Sequence, residues 1–287
     1  MHFRSPGILL FVFVLTAVAL AQPVGAQTTE RDTAFHPYHI NYWVTGGILA
    51  GGLAAEKIGI AWITGKTILT NAELQAVTKD NINGIDHWAL QQDLSTMKYY
   101  VDLSDKVLTG IILLPALTML DGKIRRDWLD ILLLYAETIL LTNNMYLYSP
   151  IGPTFQNKYR PVVYYDELGD SEIRTRGSNR SSMYSGHVAS GASASFITAK
   201  IFCDYHPELG NNKYFVYAAA SIPPLILSYM RLRALSHFPS DIAVGFGVGM
   251  LCGILIPEFH RISGENASVG VYSSFEGTGL RVQWRTK

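Results

Sequence analysis

Apolar residues in the 287-residue chain gather into seven runs, at 8–20, 40–55, 107–120, 128–148, 188–202, 214–230 and 242–256, with polar connections between them. The last six contain almost no charge and show no strong polar face, the pattern of helices that are apolar all round. Six helices are therefore predicted after residue 40. Most of these runs are 14–17 residues long, short of the ~20 that cross a bilayer comfortably, and only 128–148 reaches that length. Tyr, Trp and Lys at several ends would let short runs span by snorkelling. A soluble periplasmic helical domain is the alternative.

The first run has a different character. His2 and Arg4 precede it, and Ala19-Leu20-Ala21 and Val24-Gly25-Ala26 offer small-residue cleavage sites after it, so 1–26 reads as an export signal. The polar stretch 67–106, with Asp80, Asn81, Asn83 and Asp86, predicts one or two amphipathic helices broken at Asn83-Gly84 and lying over the bundle. The mixed charges of 162–183 read as a solvated surface. Alternating Val269, Val271 and then Leu280, Val282, Trp284 around Gly277-Thr278-Gly279 suggest a hairpin. The expected organisation is a signal peptide (1–26), an N-terminal helix with an amphipathic cover (27–106), a helical core (107–260) and a hairpin tail (261–287). The expected fold class is all-α, a membrane-associated bundle of about six helices with a small C-terminal β-hairpin.

Composition narrows the partners. Formal net charge is zero, 48% of residues are hydrophobic and 16% are charged. That balance exerts no bulk pull on nucleic acid and fits a membrane as partner. Mean hydropathy, at +0.16, is low for a chain embedded throughout. Cys203 and Cys252 sit inside apolar runs and read as buried thiols. His36, His39, His87, His206 and His260 have no partner spacing, and no Cys/His cluster of zinc type exists, so no metal or other cofactor is expected.

The chemistry gathers at the edges of the apolar runs. Arg231, His237 and Asp241 stand in the order R-x5-H-x3-D, with Asp241 one helical turn after His237. A carboxylate there can hold one ring nitrogen and leave the other free to attack, while Arg231 holds an anion. Upstream, Tyr184-Ser185-Gly186-His187 directly precedes the run at 188, which puts Ser185 at a helix N-cap and Gly186 where an anion can approach the backbone. Further upstream, Lys158-Tyr159-Arg160-Pro161 supplies an arginine able to fork onto phosphate oxygens.

In order and spacing these three elements resemble the signature of the type 2 phosphatidic acid phosphatase family, which shares its phosphate site with bacterial acid phosphatases and vanadium haloperoxidases. The family pattern is K-x6-RP, PSGH and SR-x5-H-x3-D. The resemblance implies His237 as a nucleophile that becomes a phosphohistidine, Asp241 as its orienting partner and His187 as the acid for the leaving alcohol. It further implies that Arg160, Ser185, Gly186 and Arg231 hold the phosphoryl oxygens. Three positions depart from the pattern: Pro153 stands where the lysine is expected, Tyr184 replaces the proline and Met230 the serine. Lys158 is the nearby cation that could replace the missing charge at the phosphate. The implied activity is metal-independent hydrolysis of a phosphate monoester, most simply of a lipid. A soluble phosphoester or an isoprenoid pyrophosphate is an alternative substrate, and a non-catalytic membrane protein that keeps the pocket is an alternative function.

Lys123, Arg125 and Arg126 separate the second and third runs after the signal, so the positive-inside rule places the site, at the opposite ends of the helices, on the periplasmic face of a bacterial envelope membrane. A cleaved signal followed by a spanning first helix would invert that orientation. The reading therefore leaves the span of 40–55 open.

Overall fold

The computed structural model describes residues 35–261 in full and the backbone of 267–274 and 277–284. The predicted export signal lies outside the described residues. Six long helices organise the rest: α1 (Tyr42–Thr64), α2 (Met97–Ile112), α3 (Trp128–Tyr148), α4 (Gly186–Tyr205), α5 (Lys213–Arg233) and α6 (Pro239–His260).

Two helices differ from their apolar runs for a shared reason. α1 continues through Glu56 and Lys57 to Thr64, where the Gly65 N–H closes on the Ala61 carbonyl. α2 begins ten residues before its run, at Met97, because its first turns carry Lys98, Asp102, Ser104 and Asp105. Charged residues interrupt an apolar window, yet Glu and Lys favour a helix almost as well as Leu. α2 then gives way to a tight 3-10 segment, Leu114–Leu120, at Pro115.

α4 runs through the centre, packed by α6, α5, α3 and α2. Its contact with α6 is unusually close. A Cβ at Gly245, Gly249 or Gly253 would lie 2.5, 2.1 or 2.6 Å from the carbonyl oxygens of Ser185, Ala189 and Ser193. Small residues at four-residue spacing let two backbones touch, a device suited to helices in lipid. Polar side chains inside the bundle find one another: Thr142 and Ser193 hydroxyls are 2.9 Å apart, and His260 lies 3.1 Å from Glu137.

The outer surface is apolar. Trp43 is 92% exposed and Phe215 76%, and Leu53, Ile60, Leu117, Ile222 and Leu251 are also open. Four stretches, Tyr42–Thr64, Leu94–Leu120, Pro207–Arg233 and Pro239–His260, are long and apolar enough to cross a membrane. Such a belt is stable against acyl chains and not against water, so this is a membrane protein.

The expected fold class needs correction. The architecture is all-helical, and no sheet belongs to the bundle. The strands Ala267–Ser274 and Gly277–Trp284 pair only with each other, beyond the last helix, and contribute no layer to the fold. Alternation of apolar residues reports a local preference and does not create a surface for strands to cover.

The polar segments close one end of the bundle. Thr70 and Glu73 form a reciprocal N-cap for the short helix Asn71–Ala76, and Glu73 also takes Arg180 on both oxygens, at 2.6 and 2.7 Å. Arg174 is buried and donates to the Val163 carbonyl at 2.8 Å and to Asp166 at 2.6 Å. These arginines of 162–183 fasten the loop, where a solvated surface was expected.

Candidate active site

The site forms where α3, α5, α4 and α6 end or begin. Ser185 caps α4, its hydroxyl accepting from the Val188 N–H at 3.5 Å and its own N–H donating to the Asp241 carbonyl at 3.1 Å. Gly186 and His187 are the first two residues of the helix, where amides have no helical acceptor. α5 ends in a left-handed turn: Ser236 N–H returns to the Arg231 carbonyl at 3.3 Å, Leu235 N–H to Leu232 at 3.0 Å, and Leu235 has φ +51°. Glycine usually occupies that position. Here a leucine is held by full burial among Leu69, Val162 and Val163. The turn brings His237 near Arg231, and the Val162 N–H bonds to the Leu235 carbonyl at 3.2 Å, which brings Arg160 near as well.

His237 is almost fully buried, with Nδ1 2.7 Å from the Ser182 carbonyl oxygen. A carbonyl can only accept, so Nδ1 carries the proton and Nε2 keeps its lone pair. Burial, with Arg160 and Arg231 nearby, holds the imidazole pKa well below its ordinary value. The ring is therefore neutral and nucleophilic at pH 7.

Two arginines flank it. Arg160 is half-buried with its Nε enclosed, and that Nε has no partner among the described residues; desolvation lowers its pKa, while Tyr146 and Asp241 oppose the shift. Arg231 leaves its Nε equally unpartnered and places Nη1 3.0 Å from the Ser104 hydroxyl and 3.6 Å from Asp105. Buried guanidinium N–H groups without acceptors are costly, and an anion between them removes the cost. His187 Nε2 lies 3.0 Å from Asp105 Oδ1.

Asp241 and Lys158 are placed differently from the sequence reading. The Asp241 carboxylate accepts from Lys158 Nζ at 2.6 Å, Ser182 Oγ at 2.6 Å and Phe238 N–H at 3.1 Å, and it reaches His237 only through Ser182. Lys158 also donates to Ser240 at 3.1 Å and approaches Asp86 at 3.5 Å, so its amine is committed away from the arginines. At Pro153 the backbone carbonyl receives Lys66 Nζ at 2.6 Å. The structure thus gathers Arg160, Ser185, Gly186, His187, Arg231 and His237, with Asp241 and Lys158 in a layer behind. Ser104, Asp105, Tyr146 and Ser182 were missed. The first two lie in the polar half of α2, which a search for apolar runs discards; the others sit beside motif residues with no spacing signal of their own.

Residues 131–264 match the family model of the PAP2 superfamily. Over that stretch, a little under half of the chain, the protein is similar to the PAP2 superfamily. The matched stretch contains both arginines and both histidines of the site, whereas Ser104 and Asp105 come from a helix before it, and the similarity supports a phosphatase. Among solved structures the chain is similar to one described as the first transmembrane PAP2 type phosphatidylglycerolphosphate phosphatase from Bacillus subtilis, with 20% identity, TM-score 0.32, and coverage of 88% of this chain and 94% of that chain. No curated protein matches the chain.

Proposed function

We propose that the protein hydrolyses a phosphate monoester carried by a lipid, through a covalent phosphohistidine at His237. The observation that carries this reading is the neutral His237 imidazole, its Nδ1 tied to Ser182, beside two arginines whose buried Nε atoms lack acceptors. A phosphoryl group there would satisfy Arg160 and Arg231 and lie against the N-terminus of α4, with the Gly186 amide and Ser185 as further donors. His237 Nε2 attacks phosphorus, the bond to the leaving oxygen breaks, and His187 supplies its proton to that oxygen. Burial and Arg231 lower the His187 pKa to about 4, with Asp105 opposing them, and the negative charge of a bound phosphoryl group would raise it again so that the ring can carry the proton. Water then gives a proton back to His187 and attacks phosphorus, the P–N bond breaks, and inorganic phosphate leaves with His237 restored.

The exposed apolar belt around the helices supports a substrate that arrives from the membrane. Basic Lys123, Arg125 and Arg126 lie at the far end of the bundle, beside the C-terminal half of α4, which supports a periplasmic site by the positive-inside rule. Purified protein is to be assayed for phosphate release from phosphatidic acid, phosphatidylglycerophosphate, isoprenoid pyrophosphate, lipid A and a soluble monoester. Turnover of a lipid monoester, lost by about a thousandfold or more in His237→Ala, is expected. A variant that keeps most of the rate would sink the mechanism, and turnover of the soluble ester alone would remove the lipid from it.

A further inference from the structure

We propose that the Tyr146 hydroxyl is an additional phosphate ligand of this site, a neutral donor beside the two arginines. The inference rests on the phosphatase reading and deepens it. Tyr146 lies two residues before the end of α3, and its ring covers Gly186: a Cβ built there would be 3.1 Å from ring atoms Cε1 and Cζ. Cζ bears the hydroxyl. The phenol oxygen is therefore bonded to an atom packed on the residue whose free amide opens α4.

Two further observations orient the ring. It packs edge-to-face on Tyr184, with centroids 5.5 Å apart, which restrains its plane. The charged groups that bear on the phenol are Arg160 and Arg231, the two guanidiniums of the phosphate cradle.

The hydroxyl itself is unused. The other tyrosines of α3 donate to carbonyls, Tyr135 to Ile112 at 2.6 Å and Tyr148 to Ala55. Tyr146 has no such acceptor among the described residues. Tyr146 is half-buried, and the groups around its phenol, Arg160, Arg231 and the Gly186 amide, are all donors. What this place lacks is an acceptor, and a phosphoryl oxygen supplies it. With Lys158 held by Asp241 and Ser240, the cradle has only two cations, so a neutral donor contributes a larger share of the charge stabilisation.

The test is Tyr146→Phe in the full-length protein in detergent, which keeps both ring contacts and deletes one oxygen. Three quantities are measured: orthovanadate affinity at equilibrium, phosphate release, and Tm without ligand. We expect vanadate affinity and kcat/KM each to fall by about 10- to 100-fold, the range for a lost hydrogen bond to a charged group, while Tm stays unchanged. Vanadate binding and kinetics equal to the parent's would overturn the assignment and leave the phosphatase reading intact. The converse failure is separable: a parent that binds vanadate yet releases no phosphate refutes the phosphatase, and the affinity of the variant still decides Tyr146.

Discussion

In the proposed mechanism His237 acts through its neutral form, and the surroundings that keep it neutral leave a thermodynamic trace. Burial and the two arginines depress its folded-state pKa, whereas in the unfolded chain it titrates near the ordinary ~6.5. Below that pH the unfolded chain binds a proton that the folded one refuses. Stability must then fall as the pH drops, by up to about 1.4 kcal/mol per unit for this one group, and is fully retained above pH ~6.5. His206 works in the opposite sense, since hydrogen bonding to Glu208 and Asp121 raises its pKa and favours the folded protein in acid. Comparison with His237→Gln isolates the first term. Between pH 7.5 and 5 the parent should lose more Tm than the variant, and equal losses would show that His237 accepts a proton in the fold. At this scale the sequence spoke clearly where residues share a short spacing: Arg231, His237 and Asp241 lie within one turn and its flanks. It was silent on Asp105, because nothing along the chain relates that residue to His187, 82 positions away.

Between residue and fold stand two couplings that the elements impose. One runs from Lys158 through Asp241 and Ser182 to His237, with Asp86 and Ser240 at its outer end. In this arrangement Lys158 contacts Asp241 and Ser240, where the sequence suggested direct contact with phosphate, and we propose that it acts as a positioning residue. Lys158→Met should lower kcat by about tenfold with KM nearly unchanged, and Lys158→Arg should recover part of the rate, as expected when the loss is orientation and not binding. A raised KM with normal kcat would return the amine to the phosphate. The other coupling is the backbone contact of α4 with α6. Gly249→Ala sets a methyl 2.1 Å from the Ala189 carbonyl, so the helices must separate. The separation should cost about 1–3 kcal/mol and most of the activity, because Ser185 and Asp241 are joined across the same seam. A Tm and rate equal to the parent's would show that the contact yields easily. Apolar runs disclosed that these helices exist, but not which pair touches. The glycines 245, 249 and 253 held that information at a spacing the hydrophobic pattern does not read.

Across the whole molecule, orientation in the membrane follows from which end of the bundle each feature occupies. α1 starts beside the start of α3, with the Tyr42 hydroxyl donating to Asp130 at 2.6 Å, and ends on the side of the site. Its first residues therefore share the face that carries Lys123, Arg125 and Arg126. The sequence left the first helix open because a cleaved signal followed by a spanning helix would contradict the positive-inside reading, and the helix, with 23 residues, qualifies as a span. Two signals now compete directly. Positive-inside places that face in the cytoplasm and the site in the periplasm, whereas a cleaved export signal delivers the start of α1 to the periplasm and turns the site inward. Three basic residues in a short connection between helices are the stronger determinant, since the bias acts on short loops next to the spans. Both native cysteines are buried, so single cysteines report cleanly. Glu172→Cys, at a position 84% exposed at the site end, should react with a membrane-impermeant thiol reagent in intact spheroplasts, and Gly122→Cys at the basic end should react only after lysis. The reverse pattern would show that the export signal sets the topology, and the enzyme would then draw its substrate from the cytoplasmic leaflet.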